Sequence, residues 1–320
     1  MLIAHKGPDG DAIGSLLALM HFLIRKGHHV DAVTPNEAPD FLKWMPGFSS
    51  ITTFMRHELY VKACLEKAEV IVHMDYNEIS RTGGMADLLV SHPAQQVLID
   101  HHMDPSIRSE ISFSDPSRCA TADLVFDILH LWDASAVDQT IATCLYCGLM
   151  TDTGCFSYNA NDPAVFEHVA ALMRCGIHRD AIAAAVYDNY AENRMRLLGY
   201  CLSRKMEVFS EQHAALIVLS LEEQEQYHYQ TGDSEGFVNY PFSIQGIVFS
   251  VFIREEADRV KISLRSRGDL DVRLIAQRYF NGGGHKNAAG GDLNVPLQTA
   301  VGRFYQVLAE MEKQTGTINP

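Results

Sequence analysis

The chain has 320 residues, 47% hydrophobic and 21% charged, with 22 glycines and 11 prolines, a composition that excludes collagenous, mucin-like and tail-like proteins. At roughly 100–200 residues per domain, this length predicts two domains with cores that need no disulfide or metal staple. The net charge of −14 argues against a basic coat on long nucleic acid, but it is uneven: 12 Lys/Arg face 24 Asp/Glu in residues 1–190, against 14 and 16 beyond.

Short apolar runs alternate with helix-period patterns in the first part. Residues 2–4 read as a strand entering a polar loop. Residues 12–26 read as a helix whose Leu16, Leu19, Met20 and Leu23 share a face, closed by Gly27. Residues 29–33, 70–73 and 96–99 are the apolar runs expected of strands buried in a parallel sheet. Helical patterns cover 57–67, 120–131 and 135–150, so the fold class is α/β, a mostly parallel sheet with flanking helices. Helices are also expected at 163–174, 178–187 and 192–207. The rhythm then changes. Strands at 214–219, 246–253 and 260–266, helices at 221–229, 272–280 and 297–313, and a glycine cluster predict a second, smaller α/β domain. The expected division is a first domain over 1–190, a linker helix over 191–207 and a second domain over 208–320. The longest apolar stretch, 13–24, contains His21 and is too short to span a bilayer. Seven scattered cysteines and a start without a secretory pattern fit a reducing cytoplasm.

Four polar clusters carry the chemistry. They are His5-Lys6-Gly7-Pro8-Asp9-Gly10-Asp11, His73-Met74-Asp75, Asp100-His101-His102 and Thr151-Asp152-Thr153-Gly154. Each is expected just after an apolar run, where parallel α/β sheets bind ligands. Singly, each reads as a turn or a helix cap; four along one sheet edge read as a site. Imidazole with carboxylate suits Mn²⁺, Zn²⁺ or Fe²⁺ rather than Ca²⁺. Six donors, His5, Asp9, Asp11, Asp75, His101 and Asp152, exceed what one open catalytic ion takes. They suit two ions ~3.5–4 Å apart and metal-assisted phosphoester hydrolysis.

The order HKGPDGDAIGS, the isolated Asp75, Asp100-His101-His102 and TDTG, then SLRSRG at 263–268 and GGGHKNAAGG at 282–291, resembles the successive motifs of the DHH phosphoesterase superfamily and its DHH-associated C-terminal domain. The compact size and the SLRS…GGGH pairing are most similar to the oligoribonuclease (nanoRNase) and phosphoadenosine-phosphate phosphatase branch. The resemblance implies two Mn²⁺ per chain, with Mg²⁺, Co²⁺ or Fe²⁺ as substitutes. His5, Asp9 and Asp75 would hold one ion; Asp11, Asp75, His101 and Asp152 the other, so that Asp75 bridges. It further implies attack on phosphorus by a hydroxide shared between the ions. His102 and Asp100 would be catalytic: His102 would face the phosphate and stabilise charge or protonate the leaving oxygen, and Asp100 would orient a ligand histidine. Relatives commonly carry Asn where this chain has Gly7, and often an extra helix ahead of the first motif.

The glycine cluster reads separately. Glycines allow backbone N–H groups to approach an anion, and Arg265 offers a planar fork to phosphate. Arg265, Ser266, Gly283, Gly284 and His285 are therefore the expected substrate-binding residues, within a stretch (259–286) holding seven Lys/Arg against two Asp. The expected function is a manganese-dependent phosphoesterase acting on short oligoribonucleotides and/or 3′-phosphoadenosine 5′-phosphate. The rivals are a cyclic or linear dinucleotide phosphodiesterase, an exopolyphosphatase, and a non-catalytic nucleotide-binding regulator, which would have a broken ligand set. The expected partners are short RNA or a mononucleotide, with no long nucleic acid and no membrane, and the sequence is compatible with a homodimer.

Overall fold

Strands too short to hold together alone form the first sheet because both of its faces are covered by helices. In the computed structural model, which describes residues 1–315, they are β1 (Leu2–Ile3), β2 (Ala32–Thr34), β3 (Ile51–Thr53), β4 (Val70–Met74), β5 (Gln95–Asp100) and β6 (Ile111–Ser114). All pair in parallel, in the order β3-β2-β1-β4-β5-β6. The order reverses between β1 and β4, so the loops leaving these neighbours diverge and open a crevice at their carboxyl ends.

The helices are α1 (Gly10–Arg25), α2 (Glu58–Leu65), α3 (Ala86–Leu89), α4 (Thr121–Asp133), α5 (Gln139–Asp152), α6 (Pro163–Arg174) and α7 (Arg179–Tyr187). One apolar cluster joins Leu2, Val72 and Ile99 to Leu16, Phe22, Leu129 and Tyr146 of α1, α4 and α5. A second joins Ile3, Ile71 and Leu98 to Val61, Leu65 and Leu89 of α2 and α3. Alternate strand residues thus feed opposite layers. The edge strands β3 and β6 have no counterpart in the sequence reading. Ile111 and Phe113 of β6 are exposed, so neither edge needs the continuous apolar run that marks a central strand.

The chain divides between Asn189 and Tyr190. The second unit contains α8 (Glu192–Tyr200), a π-helical turn at Cys201–Lys205, β7 (Met206–Phe209), β8 (Ala214–Leu219), α9 (Leu221–Gln226), β9 (Phe249–Glu255), β10 (Val260–Ser266), α10 (Val272–Tyr279), β11 (Gly282–Gly284), β12 (Ala288–Leu293) and α11 (Leu297–Thr315). Its sheet runs β11-β12-β10-β9-β8-β7, with β8–β9 parallel and the other pairs antiparallel. The segment expected as a linker, 191–207, is part of this unit: Leu197, Leu198 and Cys201 are buried with Ile217, Phe237 and Phe252. Residues 316–320 of the expected second domain lie outside the described residues. Among those described, no helix is long and apolar enough to cross a membrane.

Candidate metal centre

Three of the four polar clusters leave carboxyl ends of neighbouring strands: His5 after β1, Asp75 after β4, and His101 and His102 after β5. The fourth follows a helix, as the pattern over 135–150 predicts, and not a strand of the sheet. Asp152 is the last residue of a helix, α5, and reaches the site because α5 packs along α1, which carries Asp11. That packing is close. A Cβ on Gly14 would lie 2.5 Å from the Cys144 carbonyl, and one on Gly148 would lie 2.9 Å from Asp11 Oδ1.

The six expected donors form two groups whose ligand atoms lie within 4.8 Å of one another: His5, Asp9 and Asp75, and Asp11, His101 and Asp152. His5 Nε2 is 3.5 Å from Asp75 Oδ2 and 3.9 Å from Asp9 Oδ2. His101 Nε2 is 3.6 Å from Asp75 Oδ1, 3.6 Å from Asp152 Oδ2 and 3.9 Å from Asp11 Oδ2. Asp75 therefore lies between the groups, one oxygen toward each. These separations are longer than ordinary hydrogen bonds, but donors bound to one ion at about 2.0–2.2 Å stand about 3–4 Å apart.

The histidines are aimed by main-chain carbonyls. His5 Nδ1 donates to the Lys6 carbonyl at 3.0 Å and His101 Nδ1 to the Arg118 carbonyl at 3.2 Å. Each Nε2 is thus turned toward carboxylates, the arrangement typical of metal-ligating imidazoles. Arg118 is itself clamped by Asp123 at 2.5 Å and Asp127 at 2.7 Å.

The charges are crowded. Burial, then the charges of Asp75, Asp152 and Asp9, push the Asp11 carboxyl well above its usual range. Burial, with Asp9 and Asp75 adding, raises Asp152 to about 6 despite the opposing His101. Burial opposes charge on His5, but the Asp75 carboxylate and Asp9 outweigh it and raise its pKa; His101 is raised against burial by Asp152 and Asp75. Asp75 goes the other way: burial disfavours its charge, yet His5, His102 and His101 hold it well below the usual carboxylate range. A donor set of borderline and hard ligands, four of them mutually repelling carboxylates, fits divalent cations.

Several partners were not visible in the sequence. Both oxygens of Asp11 accept amides opening α4, from Thr121 at 2.6 Å and Ala122 at 2.8 Å. Thr121 Oγ1 also donates to Asp75 Oδ1 at 2.8 Å. The expected helix start near residue 120 was the available signal, since helix N-termini bind anions. Asp9 caps α1 through Oδ1, accepting from Asp11 and Ala12 amides, while Oδ2 faces His5. Asp100, fully buried, accepts from His102 Nδ1 at 2.7 Å. It thus holds His102, not the proposed ligand His101. Gly7 adopts φ 68°, in the left-handed region that Asn also tolerates, so its replacement of the relatives' Asn keeps this turn.

In the second unit the glycine cluster is not a free turn. Gly282–Gly284 form the edge strand β11, paired with Gly291, Gly290 and Ala289. A Cβ on Gly282 would fall 1.8 Å from the Gly290 carbonyl, so the pairing itself demands glycine there; one on Gly283 meets nothing within 4 Å. His285 N–H donates to the Ala288 carbonyl at 2.7 Å, closing a hairpin with Lys286 and Asn287 at its tip. Ser266 Oγ donates to Leu270 and accepts from Asn287, tying that tip to β10, where Arg265 pairs with Ala288. The five expected substrate-binding residues thus share one corner of the second sheet.

Residues 1–149 match the DHH family, N-terminal domain, and residues 213–314 the DHHA1 domain. The chain is 30% identical, over 98% of its length, to the bifunctional oligoribonuclease and PAP phosphatase NrnA of Thermus thermophilus, covering 90% of that protein. It is 25% identical to the protein of the same description from Mycoplasma genitalium, over 91% of this chain and 87% of that one. The crystal structure of an exopolyphosphatase-related protein from Bacteroides fragilis matches with a TM-score of 0.93 at 41% identity, over 98% of this chain and 92% of that one.

Proposed function

The chain belongs to the DHH family and is a phosphoesterase; from that premise we propose that it hydrolyses short oligoribonucleotides and 3′-phosphoadenosine 5′-phosphate with the help of divalent cations, manganese first among them. The observation that carries the reading is the pair of His/Asp groups meeting at Asp75, with the Asp100–His102 pair beside them. His5, Asp9 and Asp75 would hold one ion and Asp11, Asp75, His101 and Asp152 a second. Cations bound there supply positive charge to the phosphoryl oxygens and make a water acidic enough to attack near neutral pH.

The protein's own groups do the rest. His102, with Nδ1 held by Asp100, delivers a proton from Nε2 to the oxygen that leaves phosphorus. Arg265, Gly283, Gly284 and His285 bind a substrate phosphate or its nucleotide, and Ser266 fixes the hairpin that presents them. The substrates are short because the basic stretch is short, and long RNA and membranes are not partners. Seven free cysteines suit action in a reducing cytoplasm.

One observation favours a second reading: the 41% identity to an exopolyphosphatase-related protein supports a chain of phosphates as substrate. Purified protein with Mn²⁺, offered an RNA dinucleotide, 3′-phosphoadenosine 5′-phosphate, a cyclic dinucleotide and polyphosphate, separates the two. Release of mononucleotide and phosphate from the first two is expected. Phosphate from polyphosphate alone would replace this reading with the second, and no turnover of any would remove both.

A further inference from the structure

Asp75 faces both ligand groups, yet its backbone has φ 64°, the left-handed region that residues other than glycine rarely adopt. Its amide donates to the Ile99 carbonyl at 3.0 Å, which aligns the turn with β5. On either side of Asp75 stand two fully buried polar residues with no part in the proposed chemistry. The Tyr76 hydroxyl and His73 Nδ1 are 2.5 Å apart, and the rings meet edge to face at 5.5 Å. His73 Nε2 meets Gln96 Oε1 at 2.7 Å, while the Gln96 amide nitrogen donates to the Ala94 carbonyl. Because Gln96 Oε1 can only accept, His73 Nε2 carries the proton and Nδ1 accepts from the Tyr76 hydroxyl. Burial holds the imidazole toward its neutral form, consistent with that tautomer.

We propose that the Tyr76–His73 hydrogen bond is a staple across Asp75 that holds its carboxylate on line with both ligand groups. His73 and Tyr76 are then positioning residues of the metal centre. Tyr76 follows Asp75 directly and His73 precedes it by two, so the bond closes a small ring of chain around the strained residue. Its far end is anchored through Gln96 to the neighbouring strand β5. Released from the bond, Tyr76 would let Asp75 relax toward ordinary φ and swing its carboxylate out of one or both groups. The inference rests on reading those groups as a metal centre.

Calorimetric titration of the intact chain with Mn²⁺ tests it. Tyr76→Phe removes only the hydroxyl and His73→Phe removes the acceptor. Each is expected to weaken Mn²⁺ binding about tenfold, the lower end for losing a group that orients a ligand. Both variants break the Tyr76–His73 bond and His73→Phe also breaks the bond to Gln96, so the double variant should lose no more than His73→Phe alone. At limiting Mn²⁺, kcat falls while KM for a dinucleotide holds. Val61→Ala, in the same apolar cluster, is the control for lost packing; it lowers the melting temperature and leaves Mn²⁺ affinity alone. Parental affinity in Tyr76→Phe, or additive losses in the double variant, would overturn the staple. Should these variants fail to fold, Gln96→Met loosens the imidazole from its far end: weaker Mn²⁺ binding supports the staple and unchanged binding overturns it. A parent chain that binds no Mn²⁺ overturns the metal-dependent reading and this inference with it, whereas normal binding in both parent and Tyr76→Phe overturns the staple alone.

Discussion

His101 and His102 are adjacent, yet different acceptors hold their Nδ1 atoms: a main-chain carbonyl at 3.2 Å for His101 and the Asp100 carboxylate at 2.7 Å for His102. Either acceptor can orient an imidazole toward a metal, but a carboxylate also stabilises the imidazolium that a proton-passing His102 must form. His102→Asn should therefore lower kcat about 10²–10⁴-fold with Mn²⁺ affinity unchanged in calorimetry, and Asp100→Asn should lower it less, about 10–100-fold. The crowding gives a pH prediction. Asp11 and Asp152 have raised carboxyls, so their support for the fold is present while protonated. It is lost as pH rises from the ordinary value of 3.8 through the folded value, about 6 for Asp152. His5 and His101 are raised too, and their support, complete below 6.5, is lost as pH rises through their higher folded values. Asp75 is held low, so it opposes this trend only below the ordinary carboxyl range. In EDTA the melting temperature should fall from about pH 5.5 to about pH 8, and Mn²⁺, which binds deprotonated donors, should stabilise more as pH rises. A flat EDTA series would contradict this account of the cluster.

Helices α1 and α5 meet where Gly14 faces Cys144 and Gly148. That contact is a condition of the site, because Asp11 rides on one helix and Asp152 on the other. A methyl at Gly14 would stand 2.5 Å from the Cys144 carbonyl, so the helices must part. Gly14→Ala is expected to cost about 1–3 kcal/mol in chemical denaturation, and to weaken Mn²⁺ binding beyond what the lost stability explains. The same contact brings Asp152 to the site although it does not follow a strand. Thr151–Gly154 follows the helix expected over 135–150, whose Leu145 and Leu149 are buried in one cluster with residues of α1. In the second unit the run Gly282–Gly284 lacks side chains altogether, so no periodicity announces β11; the demand for glycine comes from its partner strand.

Over the whole molecule, the charge of −14 resolves into an acidic unit that crowds aspartates around the candidate ions and a second unit close to neutral with a basic stretch. If that stretch grips substrate, Arg265→Ala should raise KM for a dinucleotide several-fold while leaving kcat and Mn²⁺ affinity near parental values. Turnover of the dinucleotide should depend only weakly on salt, since steep dependence requires many phosphate contacts. Equal loss of kcat and Mn²⁺ affinity in Arg265→Ala would instead tie Arg265 to the chemistry.

By itself the sequence determined the α/β class and pointed to the candidate donors. Alternating β and α patterns admit a parallel sheet, and His5, Asp9, Asp11, Asp75, His101 and Asp152 declare themselves by residue type and motif spacing. Only the tertiary structure decided what aims those donors. The Lys6 and Arg118 carbonyls, the amides of Thr121 and Ala122, the assignment of Asp100 to His102 and the His73–Tyr76 bond over a left-handed Asp75 are all contacts between groups brought together by the fold. A main-chain carbonyl or amide is identical in every residue but proline, so its role is written in position and not in residue type.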